Sequence, residues 1–201
     1  IVEAQVSDLS PISGLKNLKE LKFSSTQVSD LSPISGLKNL KELKFSSTNV
    51  SDLSPISGLK KLKKLEFSST QVSDLSPISG LKNLEELQCF STHVSDLSAI
   101  SSLNKLKNLD CSSTHVGDLS PISGLRKLQT LNCVRSNLST VTLSSLKSFQ
   151  NLIELYLYDC PMLSIPKEII GDRHHNCLID LKNYLRDQEK GSSQNNEVKV
   201  I

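Results

Sequence analysis

A repeat of 22 residues constrains this chain more than any other feature of its sequence. The segment VSDLSPISGLKNLKELKFSST begins at Val6 and returns, with changes, every 22 residues at positions 28, 50, 72, 94 and 116. A unit of this length is too small to bury its own apolar side, so each unit must stack on its neighbours. The sequence therefore predicts a solenoid with one continuous core.

The apolar residues of each unit follow the pattern LxxLxLxx(N/C/T)x(V/L), as in Leu18, Leu21, Phe23, Thr26 and Val28. This spacing resembles that of a leucine-rich repeat. The resemblance implies an α/β solenoid with a parallel sheet on its concave face and short 3₁₀ turns on its convex face. Seven short strands are predicted, centred on residues 22, 44, 66, 88, 110, 132 and 156.

The convex turns are predicted from the segment DLSPISG. Ser32 is a suitable N-cap, Pro33 suits the first helical position and Gly36 can end the turn. Repeat five has Ala99 and Ser102 where the other repeats have proline and glycine, so a looser turn is expected there. The repeat between residues 136 and 160 is two residues longer, which predicts a longer convex helix.

The ends of the chain depart from the repeat, and three segments are predicted. Residues 1–171 form the solenoid, and Ile1 aligns with the Phe23 position, which suggests an N-terminal truncation inside a strand. Residues 172–190 form a capping helix, with Leu178, Leu181 and Leu185 on one face. Residues 191–201 form a polar linker and the start of a further strand.

The C-terminal segment IPKEIIGDRHHNCLIDLKNYLRDQEKGSSQNNEVKVI resembles the passage from leucine-rich repeats into the GTPase domain of prokaryotic Roco proteins. The resemblance covers only about residues 165–201. It implies a regulatory domain that modulates the GTP cycle of a larger protein or recruits its partners. It further implies GTP and Mg²⁺ in the downstream domain, and dimerisation of the parent protein through downstream domains.

Composition excludes several classes of function. A net charge of +2 gives no reason to expect nucleic-acid binding, and no apolar stretch reaches membrane-spanning length. Five cysteines, an odd number, favour a reducing compartment over a disulfide framework, so a cytoplasmic location is expected. The chain lacks GxxxxGK(S/T), and its SxxK motifs recur too regularly to mark a nucleophile. We expect no catalysis and no cofactor in this chain.

Three cysteines and two histidines recur at spacings that suggest a metal site. Cys89, Cys111 and Cys133 lie 22 residues apart, and His93 and His115 follow the first two by four residues. These are ligand types that zinc prefers. The cysteines, however, occupy an inward position and the histidines lie beyond the strand, so buried reduced thiols without metal are favoured.

The charged residues form two stripes. Lysines and one arginine recur just before each strand (Lys16, Lys19, Lys38, Lys41, Lys60, Lys63, Lys82, Lys107, Arg126), and aspartates recur after each strand from Asp8 to Asp118. One interpretation is that the basic stripe attracts an acidic partner, but matched acids lie nearby. A solvated flank, with aspartates bonding turn amides, is therefore favoured.

The concave face is the best candidate for a functional site. Its N-terminal half is charged and nearly repetitive, whereas its C-terminal half gains aromatic and apolar side chains. Such side chains on an extended surface suit a protein partner. The predicted partner-binding residues are Phe90, Asp110, Asn132, Val134, Glu154, Tyr156 and Tyr158.

Three alternatives remain. In the first, the two tyrosines pack against the capping helix or a neighbouring domain. In the second, the whole chain belongs to a bacterial surface protein of the internalin kind, which shares a 22-residue repeat and binds host proteins. A repeat-containing metalloenzyme would need the metal site that the predicted geometry disfavours.

Overall fold

Seven parallel strands form one sheet, and neighbours in sequence are neighbours in space. The computed structural model describes residues 5–139, 143–146 and 148–197. Each strand has three residues, and the register advances by one repeat without a slip. The strands are β1 (Glu20–Lys22), β2 (Glu42–Lys44), β3 (Lys64–Glu66), β4 (Glu86–Gln88), β5 (Asn108–Asp110), β6 (Thr130–Asn132) and β7 (Glu154–Tyr156). The predicted solenoid and its seven strands are confirmed.

The core lies behind the sheet and repeats one layer per unit. In the second unit, Leu31, Ile34, Leu37, Leu40 and Leu43 are all at most 1% exposed, and the equivalent positions of later units are buried in the same way. Because every layer presents the same apolar residues at the same positions, each layer fills the spaces left by the next.

A row of three phenylalanines runs through the N-terminal half of this core. Phe23 and Phe45 stack with ring centroids 5.7 Å apart, and Phe45 and Phe67 stack at 5.9 Å. From the fourth unit onward the same position is occupied by Cys89, Cys111 and Cys133 and then by a leucine. The row of stacked phenylalanine rings therefore ends at the middle of the solenoid.

The chain leaves each strand through a turn that uses a left-handed residue. Ser69 has φ 55°, and an equivalent residue with φ between 51° and 57° follows every strand. The next residue, Thr70, is buried and its hydroxyl donates to the Phe67 carbonyl at 2.7 Å. That bond satisfies a buried hydroxyl and fixes the direction of the turn.

The convex side carries six 3₁₀ turns of three residues each, at Ser10–Ile12, Ser32–Ile34, Ser54–Ile56, Ser76–Ile78, Ser98–Ile100 and Ser120–Ile122. The prediction of Ser32 as N-cap is wrong, because Ser32 is the first residue of its turn. The amide of Ser32 donates to the Asp30 carboxylate at 2.7 Å, and the other five turns repeat this bond. The prediction that the aspartates bond turn amides is confirmed.

The turn of repeat five keeps the geometry of the others, so the prediction of a looser turn there is wrong. Ser98–Ile100 is a 3₁₀ turn, its first amide donates to Asp96 at 2.8 Å, and Ser101 closes it on the Ser98 carbonyl. These hydrogen bonds do not involve proline, and therefore Ala99 is accommodated.

The longer repeat replaces its 3₁₀ turn with α1 (Leu143–Leu146), which is a single turn of α-helix. Leu146, Phe149 and Leu152 are buried behind β7. A helical convex segment is confirmed, although the described helix is short.

The C-terminal end of the solenoid is covered by α2 (Lys167–Ile170) and α3 (Leu178–Glu197). Gly171 ends α2 with φ 68°, a conformation that disfavours residues with a Cβ atom. Leu178 and Leu181 of α3 are buried, and Leu185 packs partly against the core. The predicted capping helix is present, beginning at Leu178.

Residues 191–197, predicted as a polar linker, continue α3 as helix. The polar composition that suggested a linker is also compatible with a helix, whose backbone hydrogen bonds lie within the segment itself. The predicted strand after residue 197 lies outside the described residues, as does the predicted start of the chain inside a strand at residue 1. The division of the chain into domains stays a prediction.

Candidate interaction site

The N-terminal half of the concave face is a network of ion pairs that crosses from strand to strand. Lys22 lies 3.1 Å from Glu42, Lys44 lies 3.5 Å from Glu42, and Lys44 lies 3.1 Å from Glu66. Burial tends to raise the pKa of the Glu42 carboxyl, but hydrogen bonds and charges from Lys22 and Lys44 outweigh it and hold that pKa below its usual value. The charges of this half are therefore largely satisfied within the chain.

The next part of the face replaces ion pairs with hydrogen bonds between a carboxylate and uncharged donors. Asn132 donates from Nδ2 to the Asp110 carboxylate at 3.1 Å, and Asp110 also accepts from the amide and hydroxyl of Ser112. Asn132 Oδ1 accepts from the Val134 amide at 3.1 Å. These bonds fix the rotamers of Asp110 and Asn132, so both side chains are positioned before any partner arrives.

Strand β7 adds an aromatic ring to this network. Thr130 donates to the Glu154 carboxylate at 3.1 Å. Burial, followed by the neighbouring Glu154 carboxylate, raises the pKa of Tyr156. Together with Asp110 and Asn132, these residues line a shallow depression on the concave face. Four of the seven predicted partner-binding residues therefore meet at one place.

Phe90 marks the point where the concave face changes character. It occupies the position where neighbouring units have Ser68 and Ser112, and it is half-buried. Ser68 has no exposed surface, and its hydroxyl is a buried group without a hydrogen-bond partner among the described residues. Phe90 lies at the equivalent position of the next repeat, where its carbonyl accepts from the Ser69 amide at 2.9 Å. We therefore attribute the burial of Ser68 to the Phe90 ring.

The burial of Ser68 was not predicted from the sequence, because the first two repeats also have serine at this position, as Ser24 and Ser46. The available signal was the exchange of FS for CF at residues 89–90, which moves a phenylalanine from the inward position to the outward one.

The remaining aromatic residue, Tyr158, is half-buried and packs against the core. It borders a second depression together with Pro161, Leu163 and Lys167, on the side of the last repeat that faces α2. Tyr158 thus lies beside α2, and its packing against the capping helix stays a prediction, whereas Tyr156 lines the concave depression.

The cysteine positions agree with the prediction of buried thiols. All five cysteines are free and buried, and the Cys111 and Cys133 sulfurs lie 3.5 Å apart. His93 and His115 are exposed and stack on one another with ring centroids 6.1 Å apart. Across the described ranges, no group of three or more metal-binding side chains comes together. Absence of metal stays a prediction.

No helix within the described ranges combines the length and apolar character needed to cross a membrane.

Comparison with solved structures gives similar solenoids from bacteria. Internalin C2 of Listeria monocytogenes is 32% identical, with a TM-score of 0.78, and the match covers 85% of this chain and 74% of that one. The internalin InlF of the same organism (24% identity, TM-score 0.76, 82% of this chain) and a leucine-rich repeat protein of Leptospira interrogans (24%, 0.72, 81%) share the fold. This chain spans 53% and 43% of those two chains. A search of curated proteins finds no significant match.

A family model described as "Leucine Rich repeats (2 copies)" matches residues 16–61, 38–80, 60–102 and 82–124. These overlapping matches cover more than half of the chain and coincide with strands β1 to β5. The period, the parallel sheet and the convex turns agree with that match, and the chain belongs to the leucine-rich repeat family.

Proposed function

We propose that this chain binds a protein partner through the C-terminal half of its concave face. Leucine-rich repeat domains are in general protein-binding rather than catalytic modules, and nothing in this fold indicates catalysis. The observation that carries the proposal is the change along the concave face. Internally neutralised ion pairs in the first three repeats give way to half-buried Phe90 and to half-buried Tyr156, which lines the same depression as the fixed Asp110–Asn132 pair.

The two halves offer a partner very different binding energies. A partner of the N-terminal half would have to break or desolvate existing ion pairs, which yields little net affinity. The C-terminal half offers aromatic surface beside hydrogen-bonding groups whose rotamers are already held. Interface energy is concentrated in such aromatic anchors.

Substitutions that copy the chain's own repeats test this site. Phe90→Ser restores the serine of the neighbouring units, and Tyr156→Gln copies Gln88 at the equivalent position of β4. With any protein captured by the wild-type chain, the double variant should bind about 30-fold or more weakly, since each anchor contributes about 1–2 kcal/mol.

The control is Lys22→Ser with Lys44→Gln, which alters two positions of the N-terminal half that are equivalent to Tyr156. Binding by this control should fall less than about threefold. A larger loss from the control than from the aromatic variant would place the partner on the N-terminal half instead.

For the wider context, we propose that the chain is the regulatory repeat domain of a Roco-like GTPase in the cytoplasm. The support is the similarity of residues 165–201 to the segment that precedes the GTPase domain in that family. GTP and Mg²⁺ would then bind downstream, the parent protein would dimerise there, and this chain would modulate the cycle or recruit partners. The coding sequence after Ile201 tests this, since GxxxxGK(S/T) within about 20 residues is expected.

The alternative is an internalin-like surface protein. It is favoured by the 32% identity to internalin C2 over most of both chains. Fractionation of the producing cells separates the two proposals, because a surface protein is found in the envelope or medium and a Roco-like protein in the cytosol.

A further inference from the structure

One edge of the solenoid carries a continuous array of cations, which we call the basic face. It consists of exposed side chains in the segments that precede β1 to β6. Its members are Lys16, Lys19, Lys38, Lys41, Lys60, Lys61, Lys63, Lys82, Lys105, Lys107, Arg126 and Lys127. Equivalent residues of neighbouring repeats are separated by about the 4.8 Å spacing of the strands.

The net charge of +2 conceals this face because the balancing charges lie elsewhere. The aspartates at positions 8, 30, 52, 74, 96 and 118 follow the strands rather than precede them, and the concave glutamates pair with concave lysines. Among the described residues, Glu85 is the acidic side chain that pairs with the basic face. The expectation of a flank with matched acids nearby therefore needs correction.

Part of the basic face is held in place by the fold. The Lys82 ammonium donates to the Ser79 carbonyl at 2.8 Å and to the Ser102 hydroxyl of the next repeat at 2.5 Å. Lys38 and Lys60 lie over the glycine of the next repeat, so close that a Cβ atom there would meet the ammonium nitrogen at 2.4 Å. Of these three, the Lys82 ammonium is held by hydrogen bonds, and an ammonium held in this way loses less freedom when it binds an anion.

Glu85 shows how a carboxylate is bound by this face. Its two oxygens lie 3.0 Å from the Lys63 ammonium and 2.8 Å from the Lys107 ammonium, so it bridges the repeats on either side of its own. Hydrogen bonds from Lys107 and Lys63 lower the pKa of Glu85 to about 2. The positions equivalent to Glu85 in the first three repeats are Lys19, Lys41 and Lys63. Within the described chain, no acidic side chain bridges Lys19 and Lys63 as Glu85 bridges Lys63 and Lys107.

We propose that the basic face is a second docking site, which binds an extended acidic segment of a protein. Each carboxylate of that segment would bridge lysines of neighbouring repeats, as Glu85 bridges Lys63 and Lys107 of the repeats on either side of its own. A row of six repeats is about 24 Å long, which an extended segment of about eight residues spans. This site is separate from the concave face and does not depend on the function proposed there.

The composition of the face favours a peptide over other polyanions. Eleven of its cations are lysines and Arg126 is the single arginine, whereas planar arginines are preferred for bidentate phosphate contacts. The segments that carry these cations contain no aromatic residue on which a nucleotide base could stack. The exposed apolar residues Leu15 and Ile153 lie at its two ends, so the array between them has no large apolar side chain to enter a lipid surface.

Fluorescence anisotropy tests the site with a labelled peptide of about ten residues in which glutamate and serine alternate. The peptide should bind the wild-type chain at about 50 mM salt and weaken strongly at about 300 mM, because exposed charges are screened. The triple variant Lys19→Gln, Lys41→Gln, Lys60→Gln should bind about tenfold more weakly. Glu85→Gln should bind about two- to threefold more tightly, since it releases Lys63 and Lys107.

The charge-matched control is Lys167→Gln, Arg173→Gln, Lys182→Gln, which removes three exposed cations near the C-terminal cap. It should change peptide affinity by less than about twofold. Equal losses from the two triple variants would overturn the site, because they would show attraction to total charge only. Tighter binding of a DNA duplex or of phosphatidylserine vesicles than of the peptide would overturn the assignment to an acidic protein segment. Circular dichroism confirms that each variant is folded.

Discussion

The side chain of Asn176 pairs with the backbone around Leu155 as a further strand would. Asn176 Oδ1 accepts from the Leu155 amide at 3.0 Å, and Asn176 Nδ2 donates to the Ile153 carbonyl at 2.9 Å. The next residue continues the pairing, since the Cys177 amide donates to the Leu155 carbonyl at 2.9 Å. One carboxamide thereby closes part of the free edge of β7, which would otherwise be open to pairing with other chains.

Asn176→Ala should destabilise the chain by about 1–3 kcal/mol, because it leaves a donor and an acceptor at the sheet edge without partners. Urea denaturation monitored by circular dichroism measures the change. Asn183→Ala, in the exposed part of α3, serves as the control and should change the free energy of unfolding by less than about 0.5 kcal/mol. Equal costs for the two variants would contradict the role of Asn176 as an edge cap.

The inward and outward positions of β2 should differ sharply in their contribution to stability. Leu43 has no exposed surface, so Leu43→Ala should cost about 2–5 kcal/mol through the cavity that it opens. Lys44→Ala removes partly exposed ion pairs to Glu42 and Glu66 and should cost at most about 1 kcal/mol. Denaturant melts that give equal costs would contradict the observed orientation of the strand.

The left-handed residue after each strand should limit which side chains that position accepts. Ser69 is exposed and has φ 55°, a conformation that asparagine tolerates and β-branched residues rarely adopt. Ser69→Val should therefore cost about 1–2 kcal/mol, whereas Ser69→Asn should be nearly neutral. The same substitutions at Ser73, an exposed residue outside the left-handed group, provide the comparison for side-chain size. A Val–Asn difference of equal size at both positions would contradict the attribution to backbone conformation.

The repeating part of the fold was predictable because one period determines many contacts. Once Leu21 and Phe23 are placed inward, the same positions of every later unit follow, and the structure confirms them. The convex 3₁₀ turns and the aspartate bonds to their amides were predicted for the same reason, although Ser32 was also expected as N-cap and is instead the first residue of its turn. Serine and aspartate both accept amide hydrogen bonds, and sequence alone does not show where the turn begins.

Features that occur once were harder to predict. The edge cap at Asn176 depends on how the last repeat meets the C-terminal segment, and that contact has no equivalent earlier in the chain. The burial of Ser68 depends on a residue one repeat away. The separation of the basic face from its balancing charges is a property of the assembled solenoid, which a net charge does not contain. That the seven predicted residues together bind a protein partner stays a prediction.

The cysteine thiols should be unreactive while the chain is folded. Burial raises the pKa of Cys177 to about 12, and the hydrogen bond between Cys133 and Cys111, followed by burial, raises the pKa of Cys133. Because the thiolate is the reactive form, native labelling by a disulfide reagent at pH 8 should be slow, and all five thiols should react in urea. Elemental analysis should find no stoichiometric zinc. Rapid native labelling of Cys89, Cys111 and Cys133 would contradict their burial.

The bridging carboxylate of Glu85 should make stability depend on pH at the acid end. Its pKa is about 2 in the folded chain, against an ordinary value of 4.5, because Lys107 and Lys63 stabilise the charged form. A carboxyl group with a lowered folded pKa stabilises the native state above its unfolded pKa. That stabilisation is lost as the pH falls from about 4.5 to about 2.

Glu85→Gln removes this contribution and leaves the other titrating groups in place. At pH 7 the variant should be less stable than the wild type by about 0.5–1 kcal/mol, a value kept small by the exposure of both ion pairs. Near pH 2 much of this difference should have disappeared, because about half of the wild-type carboxyl groups are then protonated. Urea denaturation at both pH values, with Glu168→Gln as an exposed control, measures the effect. A difference between Glu85→Gln and wild type that stays constant from pH 7 to pH 2 would show that Glu85 acts through packing rather than through its charge.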